Sequence, residues 1–378
     1  MNEVPPRPTF CRIDLSALSG NIAAIERHVG PGCIVMPVIK ANAYGHGLDL
    51  VVPHLEATGT RRVAVAYLEE GIEVRRLGFT GDIQVLGGAF QPQIESFLDH
   101  DLILTVPSTD KLDEVATIAR RRGERPRVHL KIDTGMERIG VHHDRAKPFF
   151  DRAFACEDVQ VEGVFSHFAN ADAADLDHAK SQLERFMVAT EELRGLGDRP
   201  LFHIANSGAV AQLAESHLDM VRPGVLTYGV YPSAETQRSI DVLPVLEWLS
   251  TVIYFKVVKA GSPVGYGSTW APDEATRVIT LPVGYGDGYP RAASNRSRVL
   301  VGGTSRRVVG RVCMDQTMVD IGWSTAYNGD EVVLIGSQGD ERITVEDLAD
   351  WSDTIPYEVL TRVTSRVPRM AIGRDGGV

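Results

Sequence analysis

The sequence predicts an α/β chain in which an N-terminal (β/α)8, TIM-like barrel is followed by a mostly-β C-terminal domain. Three observations carry that reading. Between about Thr9 and Pro223, eight short apolar runs alternate with helical patterns, and eight such units are what a barrel of this kind requires. Near Leu243-Pro244-Val245 the alternation stops, and β-branched runs separated by Gly, Pro, Asp and Asn take over. A chain of 378 residues is also long for one core, so two domains are expected.

The first apolar run, Val35-Met36-Pro37-Val38-Ile39, ends abruptly on Lys40. Small residues and two glycines follow (Ala41-Asn42-Ala43-Tyr44-Gly45-His46-Gly47), then Leu48-Asp49-Leu50-Val51-Val52, which reads as a helix. This places Lys40 at the carboxyl end of a strand, where parallel α/β proteins carry their chemistry. The eight predicted strands are 34–39, 63–66, 83–86, 102–105, 128–132, 161–166, 202–205 and 220–222. Helices are predicted over 92–99, 110–122, 178–196 and 208–214. A doubly wound open sheet would use fewer strands, and its Gly-rich fingerprint after the first strand is missing. Beyond the boundary, strands are predicted over 249–258, 277–282, 298–301, 307–312, 317–321 and 331–335, with helices at 345–351 and 357–363. The predicted division is therefore a short extension (1–8), a barrel (9–240) and a β domain (241–378). Two Val-Gly-Tyr-Gly copies, at 264–267 and 283–286, each set a tyrosine between glycines and read on their own as bulges or hairpin turns.

Composition narrows the function. The hydrophobic fraction is 43% and the charged fraction 24%, as in ordinary soluble proteins. A net charge of −11 argues against nucleic-acid or anionic-membrane partners. No stretch is long and apolar enough to span a bilayer, and Met1 to Pro8 has no apolar signal core. Cys11, Cys33, Cys156 and Cys313 are scattered with no CxxC pair, so neither a metal site nor a disulfide framework is expected. The expected location is the cytoplasm.

Polar residues collect at the predicted strand ends: Lys40 and Tyr44 after the first, Lys131 on the fifth leading into Asp133-Thr134-Gly135-Met136-Glu137-Arg138, His167 after the sixth, Asn206-Ser207-Gly208 after the seventh, and Arg222-Pro223-Gly224-Val225 after the eighth. The loops after strands seven and eight are a recurrent phosphate site of this barrel. Taken alone, Asn206 or Ser207 reads more simply as a helix cap. A phosphate hollow combined with a strand-end lysine suggests pyridoxal phosphate, whose aldehyde forms a Schiff base with a lysine amine. An arginine such as Arg222 facing the pyridine nitrogen would leave that nitrogen unprotonated and weaken the ring as an electron sink.

These residues resemble the alanine racemase family, almost from end to end. The marks are Arg7-Pro8-Thr9, Ile13-Asp14-Leu15, Lys40-Ala41-Asn42-Ala43-Tyr44-Gly45-His46-Gly47, Lys131 to Arg138, His167-Phe168-Ala169, Asn206-Ser207 and Arg222-Pro223-Gly224. The second domain adds Tyr266-Gly267, Gly284-Tyr285-Gly286-Asp287-Gly288, Gly310 to Gln316 and Arg366-Val367-Pro368-Arg369. The resemblance implies pyridoxal 5′-phosphate on Lys40 and a head-to-tail homodimer in which the β domain of one subunit completes its partner's site. It implies that Tyr44, Ser207, Gly224, Val225 and Tyr357 hold the phosphate with Asn206 beside it, that Arg222 faces the pyridine nitrogen, and that His167 lies along the ring. Arg138 and the backbone of Met314 (from the partner) would bind the substrate carboxylate, and Lys131 stands where many members carry a carbamylated lysine. Lys40 and Tyr266 would be the two bases interconverting L- and D-alanine, which supplies D-alanine for peptidoglycan. Tyr285 and Tyr357 would narrow the entrance to a small side chain.

Two positions depart from the commonest motif. Gly265 stands where serine often precedes the tyrosine, and Gly286 where alanine is usual; both are expected to loosen the backbone without removing a functional group. Three competing readings are weaker. A single-barrel pyridoxal-phosphate carrier lacks the β domain and so lacks counterparts of Tyr266 and Met314. A decarboxylase on the same plan would have a Gly-Gly-Gly phosphate loop and an acidic residue where Arg222 stands. A broad-specificity racemase is commonly exported, and no export signal is seen.

Overall fold

The computed structural model describes residues 7–372, which divide into two compact units. One comprises the described residues up to Ala17, Tyr44–Gly47 and those from Pro244 onward; the other comprises Leu18–Ala43 and Leu48–Leu243. In chain order the first strand, β1 (Phe10–Asp14), belongs to the sheet of the former unit.

The next nine strands form the barrel unit: β2 (Ile34–Val35), β3 (Arg62–Val65), β4 (Asp82–Gly88), β5 (Leu102–Val106), β6 (Arg127–Asp133), β7 (Val141–His142), β8 (Gln160–Phe165), β9 (Leu201–His203) and β10 (Met220–Val221). They run in the order β3-β4-β5-β6-β8-β9, all parallel, with β10 and β2 as a parallel pair and the short β7 on β6. Two backbone hydrogen bonds at each junction close the ring: Ile39 N–H donates to Ala64 O (2.8 Å) and Ala64 N–H to Pro37 O (3.0 Å), while Arg222 N–H donates to Ala205 O (3.0 Å) and Asp219 N–H to Phe202 O (3.1 Å). All eight predicted barrel strands are present. The first is shorter in the ladder than predicted because Pro37 has no N–H to donate, although Met36 and Val38 still bond to Val221 and Pro223 (2.9 Å each). Helices alternate with the strands, as in Thr109–Arg122, where Ser108 Oγ accepts from Lys111 N (3.2 Å) and Gly123 closes the helix at φ 68°. The predicted long helix at 178–196 is two shorter ones, Asp177–Ala189 and Glu191–Arg194.

The other unit contains β11 (Leu246–Thr251), β12 (Tyr254–Val258), β13 (Thr276–Leu281), β14 (Arg298–Val301), β15 (Thr304–Val308), β16 (Thr317–Gly322), β17 (Glu331–Gln338), β18 (Glu341–Ile343) and β19 (Arg369–Ile372). Their order is β12-β13-β16-β15-β14-β17-β11-β1-β19, with β18 on β17. The predicted strand at 249–258 is broken because the chain changes partners. Val252 N–H bonds Asp330 O, and Ile253 N–H bonds Thr280 O on β13 (3.0 Å each). The strand at Phe10, in the stretch that the sequence groups with the barrel, pairs antiparallel with β11 and parallel with β19.

A buried carboxylate fixes the loop after β13. Asp287 is fully buried and takes both Arg7 nitrogens (2.6 and 2.9 Å), Arg366 Nε (3.2 Å) and its own loop's Gly284 N–H (3.0 Å). Asp287→Asn is expected to cost roughly 1.5–3 kcal/mol, the range for hydrogen bonds to a charged group. A lower urea midpoint at unchanged slope would show it, and an unaltered midpoint would contradict it.

Candidate active site

Arg222, just past β10, is buried at the carboxyl ends of three barrel strands. Its Nη2 donates to Ser166 O (2.8 Å) and Ile204 O (3.1 Å) and lies 3.3 Å from His167 Nδ1; Nη1 lies 2.6 Å from His203 Nδ1. Burial lowers the guanidinium to about 9, so it remains charged at neutral pH. Because every guanidinium nitrogen is a donor, both imidazole atoms that face it must be bare lone pairs. His167 therefore carries its proton on Nε2. Burial first, and then the Arg222 charge, hold His167 and His203 well below the ordinary imidazole value.

Lys131, on β6, is buried with its Nζ 4.4 Å from the centre of the Phe165 ring. Burial, then Arg222, then Arg138 push its pKa well below that of an ordinary lysine, against the opposing pull of Asp133. Lys131, Arg138 and His167 line one small cleft with Asp133, Met136 and Ser166. The loop carrying Arg138 is held by Asp133, whose Oδ1 accepts from the N–H groups of Gly135 (2.8 Å), Met136 (2.9 Å) and Glu137 (3.1 Å), and whose Oδ2 accepts from Arg138 (3.1 Å). Burial alone would raise this carboxyl; the four N–H donors together bring it below its usual range.

Lys40 opens a left-handed turn. Ala41, Asn42, Ala43 and Tyr44 have φ of 54°, 56°, 53° and 51°, followed by Gly45 at 83°. Each L-residue in this region costs roughly 1–2 kcal/mol, so the turn needs outside support. Glu70 supplies part of it. One carboxylate oxygen accepts from Ala41 N (2.6 Å) and the other from Ala66 N (2.7 Å), at the start of the helix Leu68–Arg76. Asn42 Oδ1 accepts from Leu48 N (2.8 Å), joining the turn to the next helix. Burial and then the Arg138 charge lower the Lys40 pKa, while Glu70 opposes them, so the free-amine form is favoured relative to an ordinary lysine.

Ser207 is buried beside Gly224. Its Oγ accepts from Gly224 N (2.8 Å) and Leu226 N (3.3 Å), which occupies both lone pairs and leaves the hydroxyl proton to donate. Asn206 caps the helix Ser207–Gln212 by accepting from Ala209 N (3.1 Å), the simpler role open to it in the sequence. Val225, buried, begins the turn Val225–Tyr228. Lys40, Lys131, Arg138, His167, Asn206, Ser207, Arg222, Gly224 and Val225 all lie in the barrel unit.

The remaining candidates lie in the other unit. The Tyr44 and Tyr357 rings are 6.1 Å apart, and a Cβ at Gly45 would come 2.1 Å from Leu360 O, so only glycine lets this turn pass that close. Tyr266 is 70% exposed and sits between Gly265 (φ 74°) and Gly267 (φ 72°). Glycine at 265 therefore relieves strain that serine would bear, rather than simply loosening the chain. Tyr285 N–H bonds Cys313 O (3.0 Å) and Gly286 N–H bonds Met314 O (2.9 Å), stitching these two loops together. An alanine Cβ at 286 would fall 2.3 Å from Arg366 Nη1, so glycine makes room for the arginine that ties Asp287 to Asp315. Among the described residues no cluster of His, Cys, Asp and Glu could hold a metal ion.

Three residues escaped the sequence reading: His203, Glu70 and Asp133 as a collector of N–H groups. A histidine within the apolar run Leu201-Phe202-His203 was the available signal for the first; nothing local marks Glu70, which acts across the fold. The buried imidazoles predict an acid-sensitive fold. His129, which pairs with His203 (2.8 Å), is held at about 3 by burial and then by Arg62, and His167 and His203 are also lowered. Below about pH 6.5 the unfolded chain binds protons that these groups refuse when folded. Stability is therefore expected to fall with pH by about 1.4 kcal/mol per unit for each histidine. Urea midpoints between about pH 7 and 5 should decline steadily; a flat series would contradict the assignment.

Comparison with known proteins agrees with this geometry. The alanine racemase N-terminal domain family matches residues 13–232, and the alanine racemase C-terminal domain family matches 245–371. The chain is similar to an alanine racemase of Halothermothrix orenii, 40% identical over 379 residues and covering 100% of each chain. In structure it resembles an alanine racemase of Clostridium difficile 630 (TM-score 0.92, 32% identity, covering 99% of this chain and 98% of that one). It also resembles an alanine racemase of Bartonella henselae with covalently bound pyridoxal phosphate (TM-score 0.89, 27% identity, 97% and 100% covered). With both domain families matched in order along one barrel and one β-rich unit, the chain belongs to the alanine racemase family of isomerases.

Proposed function

We propose that this chain interconverts L- and D-alanine with pyridoxal 5′-phosphate held on Lys40, using one base on each face of the substrate. The observation that carries the reading is the buried Arg222 guanidinium, bonded to strand-end carbonyls and to His167 near the cleft that Lys131 and Arg138 line. The residues suit the cofactor. Lys40 is biased toward its nucleophilic free amine, and Ser207 has a hydroxyl proton to offer a phosphate oxygen, with Tyr44, Tyr357, Gly224 and Val225 assigned beside it. Bound there, the cofactor's ring would draw off the electron pair left when Cα loses its proton.

The protein's own groups do the rest. Lys40 exchanges a proton with Cα on the D face, and Tyr266 of the partner subunit exchanges one on the L face, so a proton lost on one side is replaced on the other. A tyrosine titrates near pH 10, and the Nε2–H of His167 is the donor suited to steady its anion, with Arg222 fixing the other side of that imidazole. Arg222 cannot release its proton at neutral pH, so facing the pyridine nitrogen it would restrain electron withdrawal and discourage transamination. Arg138 and the backbone of Met314 of the partner subunit would take the carboxylate. Lys131, favoured as a free amine, can add carbon dioxide with loss of one proton, and the resulting carbamate would balance Arg138 and Arg222.

A head-to-tail homodimer would bring the second base, a phenol, from the partner subunit, and the exposure of Tyr266 (70%) and Met314 (52%) supports it. Tyr285 and Tyr357 would narrow the entrance. The same reading assigns the chain a cytoplasmic supply of D-alanine for peptidoglycan.

Tyr266→Phe is expected to lower turnover by roughly 10²–10⁴, the range for a general acid or base, while the cofactor's visible absorbance persists. A fully active variant would remove Tyr266 from the reaction. Borohydride should trap the cofactor on the peptide containing Lys40, and racemisation should rank alanine above serine, with lysine inert; a preference for lysine would refute the narrow entrance.

A further inference from the structure

Behind Arg222 lies a second row of buried polar groups with no direct place in the chemistry above. His203 Nδ1 is 2.6 Å from Arg222 Nη1, and His203 Nε2 is 2.8 Å from His129 Nδ1. Both imidazoles are fully buried. The His203 ring stacks on Phe165 with centroids 4.9 Å apart and planes within 3°. A side chain at Gly163 would put a Cβ 2.5 Å from His129 Nδ1, so the chain leaves out a side chain where the His129 ring lies.

The protons in this row can be placed one after another. Arg222 only donates, so His203 Nδ1 is bare and the His203 proton sits on Nε2. That N–H points at His129 Nδ1, which must accept, so the His129 proton sits on its own Nε2. Among the described residues that Nε2 is buried and has no hydrogen-bond partner. An orphaned buried N–H costs roughly 1–3 kcal/mol, an expense that apolar side chains at 129 and 203 would avoid. Burial first, and then the charges of Arg62, Arg222 and Arg127, keep a second proton off His129; Arg62 and Arg127 are themselves paired with Asp82 and Glu162.

We propose that His129 is a positioning residue: it closes the row Arg222–His203–His129, fixes one tautomer in each imidazole, and thereby keeps the Arg222 charge and direction fixed at the mouth of the barrel. The tautomers follow from the contacts alone. The effect on racemisation rests on the cofactor reading above.

The test uses the full-length chain with ¹⁵N-labelled histidine and three forms: unaltered, His129→Leu and His129→Gln. In the unaltered protein, long-range ¹H–¹⁵N spectra should show both His129 and His203 protonated on Nε2 alone, unchanged across the neutral range. The opposite tautomer, or an imidazolium at either ring, would overturn the proposal. His129→Leu should lower kcat roughly ten- to hundredfold, the scale for a displaced group next to the reacting centre, with KM for alanine nearly unchanged. His129→Gln, whose amide oxygen can accept the His203 Nε2–H, should restore most of kcat. Full kcat in His129→Leu, or equal losses in both variants, would reduce His129 to packing. Failure of the cofactor reading is separately visible: the purified protein would lack pyridoxal-phosphate absorbance, while the tautomer spectra would still decide the histidine row.

Discussion

A positive charge buried with no carboxylate partner among the described residues is the constraint that organises the top of the barrel. Arg222 takes its compensation from two main-chain carbonyls and two imidazoles. Hydrogen bonds to a charged group contribute about 1.5–3 kcal/mol each, but only if their acceptors are already in place. The carbonyls come from residues that follow β8 and β9, so a shift of either strand by one residue would strip the guanidinium of a partner. The planar fork of arginine spans these sites at once, which a lysine ammonium could not. Burial first, and then the same charge, hold His167 and His203 neutral and favour an uncharged amine at Lys131.

Around this cation, two carboxylates hold backbone N–H groups in place. Asp133 gathers four successive N–H groups and so aims the loop bearing Arg138. Glu70 bridges the turn after Lys40 and the start of its own helix, Leu68–Arg76. Among the described residues neither forms an ion pair with the basic residue it helps place, although Glu70 favours the charged form of Lys40, and Asp133 that of Lys131, against the larger effect of burial. This division explains how lysines and arginines can crowd one mouth while the carboxylates nearby remain structural.

The sequence revealed most of the barrel because most strands there are short, largely buried apolar runs bounded by turn residues. Where it fell short, the missing information was non-local. Pro37, visible in the sequence, is the local exception; β1 is not among the predicted strands, and its partners, β11 and β19, show where it belongs. The break at Val252 reflects a change of neighbour that an unbroken apolar run conceals. Of the candidate site, Lys40, Lys131, Arg138, His167, Ser207 and Arg222 could be singled out because they lie near or just beyond the carboxyl ends of strands. His203 and Glu70 were not, since one lies inside an apolar strand and the other reaches back from a helix. Gly265 and Gly286 looked like losses of rigidity; the positive φ of the first and the Arg366 contact of the second give each a steric reason.

The turn following Lys40 sets two L-alanines, Ala41 and Ala43, at backbone angles that are the mirror image of those an L-residue prefers. Inverting the Cα configuration reverses that preference. A chemically assembled chain carrying D-alanine at these two places would therefore relax there, with no atom added or removed. Chirality at the loop is thus a source of stored tension, and the scaffold rather than the local sequence keeps it.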